Sequence, residues 1–123
     1  MAVELEIFDI GVLKADADRS GKQFYFMKMS STDFTFSLCG AGEVPLGILQ
    51  NKPAAAGRAG QIRRVGLSKL VLGGTVAAGG LIKSDAAGAG VAADTNNDNY
   101  GAMCLEGGDS GDTVTVLMEF GEV

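Results

Sequence analysis

Along several short stretches of this chain, apolar and polar residues alternate one for one. In Phe34-Thr35-Phe36-Ser37-Leu38 the apolar side chains fall on one face of an extended backbone and the hydroxyls on the other, as a half-buried strand requires. Thr113-Val114-Thr115-Val116 repeats the pattern, and its phase continues to Met118 and Phe120. Helical spacing would need apolar residues at i, i+3, i+4 and i+7 over ten or more positions, and glycines or turn residues interrupt every such window. Further strands are predicted over residues 24–29, 46–49, 61–65, 69–72, 81–83 and 100–105. Turn chemistry separates them, in Ser30-Ser31-Thr32-Asp33, Gly40-Ala41-Gly42, Gly73-Gly74, Gly79-Gly80, the segment 84–90 and Gly107-Gly108-Asp109. The pattern predicts an all-β chain, a small β-barrel or β-sandwich with little helix.

The two halves also resemble each other. Leu46-Gly47-Ile48-Leu49, a loop of small residues to Gly60, and Gln61-Ile62-Arg63-Arg64-Val65-Gly66 match Tyr100-Gly101-Ala102-Met103, a loop to Gly111, and Asp112-Thr113-Val114-Thr115-Val116. Upstream of each lies a glycine, a strand and a polar turn: Gly21, residues 24–29 and Ser30-Ser31, then Gly80, Leu81-Ile82-Lys83 and Ser84-Asp85. Copies about fifty residues apart are too few and too long for a solenoid. They predict two similar β units, about 11–66 and 67–123, in one domain, with residues 1–10 forming an arm or an edge strand.

Composition narrows the function. At 123 residues the chain has room for one modest core. Its 19 glycines, roughly double the usual ~7% share, favour tight turns between short strands over helices. A net charge of −5 disfavours general attraction to nucleic acid or anionic lipid and leaves a protein surface as the expected partner. Apolar runs are far shorter than the ~18 residues that cross a bilayer, and the start lacks the basic and apolar regions of a signal peptide. Use without export is therefore expected. Cys39 and Cys104 stand apart, with no histidine in the chain to complete a metal set, and read as half-buried free thiols.

Several motifs suggest chemistry and then lack a part. Gly108-Asp109-Ser110-Gly111 looks like a serine-protease nucleophile loop, but without histidine the hydroxyl has no base, so a hairpin turn is expected. Asp16-Ala17-Asp18-Arg19-Ser20-Gly21 opens like a calcium loop, yet its twelfth position is Met27. Asp94-Thr95-Asn96-Asn97-Asp98-Asn99 is richer in oxygens, and its twelfth position is Leu105; polar turns are expected at both. Gly88-Ala89-Gly90-Val91-Ala92-Ala93 fits a dinucleotide fingerprint in letters only, because polar Asp94-Thr95-Asn96-Asn97 follows where a helix should begin. No metal, cofactor or catalytic group is expected, and the protein reads as non-enzymatic. Lys52, Arg58, Arg63 and Arg64 form a candidate basic contact patch; the alternative is a solvated strand edge that discourages aggregation.

The stretch 44–57, with Val65-Gly66-Leu67-Ser68-Lys69-Leu70-Val71 and residues 78–88, resembles small proteins encoded beside the major capsid protein of tailed phages, the lambda-type head-decoration or capsid cement proteins. The resemblance spans residues 11–120. It implies a β-tulip fold, a homotrimer on the capsid exterior of the virion, synthesis in the bacterial host cytoplasm, and the major capsid protein as partner. It also implies that an N-terminal arm, here Ala2, Val3, Glu4, Leu5, Glu6, Ile7 and Phe8, pairs with capsid strands. Alternation of Val3, Leu5 and Ile7 with Glu4 and Glu6 suits such strand addition, and equally suits a first strand of the protein's own sheet. Family arms are longer and richer in threonine and proline. A rival resemblance joins residues 72–82 to the glycine-bounded strand pair of SAF-like β-clip modules, which implies a sugar- or ligand-binding function; a carboxylate-based enzyme is the second rival.

Overall fold

The computed structural model describes residues 7–123. Its strands are β1 (Phe8–Ile10), β2 (Lys14–Ala15), β3 (Phe26–Met29), β4 (Thr35–Leu38), β5 (Gly47–Leu49), β6 (Ile62–Val65), β7 (Leu67–Val71), β8 (Leu81–Ser84), β9 (Gly90–Ala92), β10 (Asn99–Cys104) and β11 (Thr113–Glu122). Among the described residues there is no helix. One sheet has the order β1-β6-β5-β3-β4-β2 and the other β7-β11-β10-β8-β9.

These orders share a plan. Matching β1 with β7, β6 with β11, β5 with β10, β3 with β8 and β4 with β9 superimposes the neighbour relations of both sheets, all antiparallel. Only β2, parallel to β4, is extra. The runs whose sequences match fall on matched strands, so the fold is an all-β sandwich of two similar units. The first ends at Val65 and the second begins at Leu67, with Gly66 at φ 99° between them. A positive φ of this kind is open to glycine at little cost.

Two apolar layers form. Phe26 and Ile48 from the first sheet meet Leu70, Ile82, Ala102, Val114, Val116 and Met118 from the second. In β11 the residues buried are Val114, Val116 and Met118, the face that alternation predicts. The neighbouring side chains Met27 and Leu49 point the other way, into a layer with Phe36 and Ile62 that is roofed by Leu13 and Ala15. The roof is held by backbone bonds from the Ala15 amide to the Arg58 carbonyl (2.8 Å) and from the Gly60 amide to the Leu13 carbonyl (3.0 Å). The first sheet is thus buried on both faces at its centre, which explains why Gly47-Ile48-Leu49 is apolar without alternation and buried throughout.

Differences from the predicted strands have local causes. β3 and β4 begin later than alternation suggests because Phe24 and Phe34 adopt φ of 69° and 52°. Bulky residues there cost on the order of 1–3 kcal/mol each. β9 starts at Gly90, the last residue of the segment expected to turn, and runs on through Val91 and Ala92, which no predicted strand covers. At Gly90 a Cβ would stand 2.6 Å from Leu70 Cδ2 and 2.8 Å from Ile82 Cγ2, so glycine there admits close packing. β7 and β8 share a sheet but are separated by β11 and β10. Residues 72–82 therefore do not form the strand pair that a β-clip resemblance implies.

Candidate binding surface

The four basic residues lie on β6 and in the loop that precedes it. Arg63 donates from Nε and Nη2 to the Asp9 carboxylate (2.8 and 3.1 Å), and from Nη1 to the Leu67 carbonyl (2.9 Å). It thereby ties edge strand β1 and the start of β7 to β6. The hydrogen bonds and charge of Arg63 hold the Asp9 carboxyl below its ordinary range, with burial opposing. Arg64 donates to the Leu46 carbonyl (2.7 Å) and lies 4.0 Å from the Phe120 ring centre, a cation–π stack. Lys52 and Arg58 extend into solvent from the loop between β5 and β6.

Of the N-terminal contact residues, Ala2, Val3, Glu4, Leu5 and Glu6 lie outside the described residues. Ile7 and Phe8 are 51% and 57% exposed, and Phe8 pairs with Val65 in the protein's own sheet.

The oxygen-rich loops are occupied by their own chain. Arg19 grips Asp16 through two bonds (3.0 and 2.9 Å), and Asp18 accepts from the Ser20 amide and hydroxyl. Asp98 accepts the Thr95 amide (2.9 Å) and the Lys83 ammonium (3.0 Å), and these bonds lower its pKa in that order of effect. Among the described residues no three Cys, Asp or Glu side chains converge as a metal set would. Gly108–Gly111 turns β10 into β11: the Gly111 amide bonds the Leu72 carbonyl and Asp112 Oδ2 accepts the Asp109 amide (both 2.8 Å). Both cysteines are free and fully buried rather than half-buried. Cys39 faces the Glu43 carbonyl and Cys104 the Glu106 carbonyl, and burial pushes both thiols up in pKa.

A surface that alternation does not single out lies at one end of the first sheet. Met29, 46% exposed, borders an open depression of about 400 Å³ with Val44, Pro45 and Arg64, and a second of about 310 Å³ with Leu13 and Phe34. Phe34 is 65% and Val44 69% exposed. On the far side of Arg64, Val65 faces solvent beside Phe8. The third depression, of about 330 Å³, lies between the sheets beside Phe24, Arg63 and Lys69. Alternation places Phe34 on the buried face with Phe36; its left-handed φ turns it out instead.

The same architecture occurs on a phage head. Over 96% of this chain and 98% of the other, the fold is similar to the N base of head fiber gp8.5 of bacteriophage phi29, with a TM-score of 0.73 and 14% identical residues. At that identity the likeness establishes the fold. It extends across both β units and is not confined to one sheet. No protein-family model and no curated protein sequence matches the chain.

Proposed function

We propose that this protein is a structural component of a phage head that binds the exterior of the expanded shell and stabilises it, as a decoration or cement protein does. One observation carries the reading: nearly the whole of both chains is shared in fold with the base of a head fiber. The partner in this reading is the major capsid protein, and the protein acts as a homotrimer on the virion after synthesis in the host cytoplasm. The action is physical. Several modest contacts from one rigid body span neighbouring shell subunits, so their affinities combine, and binding to the expanded form alone stabilises that form by mass action.

The test is sedimentation of purified protein with expanded heads of the phage or prophage that encodes it, with the unfolding temperature of the heads read alongside. Co-sedimentation and a raised head unfolding temperature are expected. Failure of both removes the proposal.

A further inference from the structure

The two similar units finish their matched ends differently. In the second unit the end where β8 stops and β10 starts carries Ser84, Asp85, Asp98 and Asn99. There Asn99 Nδ2 donates to the Gly42 carbonyl (3.0 Å) and the Ser84 hydroxyl to the Cys39 carbonyl (3.2 Å), and the Lys83–Asp98 ion pair has a counterpart in Lys28–Glu43 at the matched end of the first unit. The matching end of the first unit, where β3 stops and β5 starts, also presents Phe8, Met29, Phe34, Val44 and Val65, each at least 45% exposed. Both ends thus carry a lysine–carboxylate pair, and the first adds this set of exposed apolar side chains to it, so the shared strand plan alone does not require them. Phe34 sharpens the contrast, because it occupies the left-handed region at φ 52° with its ring outside the core.

We infer that this end of the first unit is the face that seats on the head shell, against an apolar patch of the coat protein, with Phe34 as an anchor. The inference rests on the head-surface reading above. The five side chains, spread over this end on both sides of Arg64, together offer roughly 500 Å² of apolar area, within the range of the largest patch on a typical monomer. That matches the apolar share of one standard non-obligate footprint and falls short of what obligate homomeric interfaces bury. The described structure begins at Ile7, next to Phe8 of this end.

The experiment is quantitative co-sedimentation of the full chain with expanded heads of the encoding phage, comparing wild type with Phe34→Asn, Val44→Asp and a control at the matched end of the second unit, Glu122→Gln. Asparagine accepts the left-handed φ, so Phe34→Asn is expected to unfold at the wild-type temperature or above it while binding at least tenfold more weakly. Val44→Asp, in an exposed loop, gives the same loss should Phe34→Asn fail to fold, and Glu122→Gln binds normally. Wild-type protein that does not bind heads overturns the function itself. Wild-type binding matched by both patch variants overturns this face while leaving the function standing. Loss of a wild-type oligomer in either variant, without heads present, assigns the face to contacts between copies and also overturns the inference.

Discussion

Asp9→Asn tests the bond that fastens edge strand β1 to its sheet. Asp9 accepts two bonds from Arg63 and one from Gln61 (2.9 Å), and the Asp9 and Arg63 side chains are 13% and 20% exposed. Hydrogen bonds to a charged group contribute about 1.5–3 kcal/mol, and breaking a fully buried pair costs about 3–5 kcal/mol. Here the amide retains one acceptor and water reaches the guanidinium, so the expected loss is about 2 kcal/mol at neutral pH. For a domain of this size that lowers the unfolding temperature by about 6–10 °C. The pH dependence supplies a second readout. Because the folded pKa of Asp9 lies below its ordinary value of 3.8, the stabilisation is complete above that value and is lost as pH falls through the folded pKa. Equilibrium urea unfolding from pH 7 to pH 2 should show the gap between wild type and variant constant down to about pH 4, then closing. A variant as stable as wild type at pH 7, or a gap that persists when Asp9 is protonated, refutes the reasoning.

Phe36→Ala removes the largest side chain of the outer apolar layer and should cost about 3–5 kcal/mol in urea unfolding, as much as Phe26→Ala between the sheets; a loss under 1 kcal/mol would mean that the roof of Leu13 and Ala15 carries little weight. A Cβ at Gly101 would stand 2.7 Å from Pro45 Cγ and 2.9 Å from Phe26 Cε1, so Gly101→Ala is expected to destabilise by about 1–3 kcal/mol through overpacking, measured in the same way. Buried thiols with raised pKa values react slowly, so native protein at pH 8 should leave Ellman's reagent colourless until denaturant exposes Cys39 and Cys104. Rapid labelling of native protein counts against their burial.

Strands that are half-buried were legible because their period is two: β11 shows Val114, Val116 and Met118 inward as its letters imply. The doubled plan was legible from the recurrence of Gly47 and Gly101 inside otherwise similar runs. The double-sided burial of the first sheet was not, since its roof comes from residues 11–16 and 51–60, whose small and polar letters carry no period. β2 is two residues long and takes its place from the Lys14 amide bonding the Phe34 carbonyl (2.8 Å), a contact invisible to local patterns. That Arg63 and Arg64, adjacent in sequence, take separate partners in Asp9 and Phe120 was not legible, because both partners are distant in sequence. The open apolar end escaped notice because Phe34 and Met29 sit in phase with buried neighbours, and only a backbone torsion at Phe34 and a strand terminus at Met29 turn them to solvent.

The passage from β6 to β7 through Gly66 alone has a consequence for how the two sheets find each other. A one-residue tether keeps each sheet at a very high local concentration for its counterpart, on the order of millimolar or more, so the pair finds itself before either half meets a neighbour in a crowded cell. With the strand plan fixed by that pairing, the loops at the far ends of the two halves can differ in chemistry without disturbing the sheets that carry them.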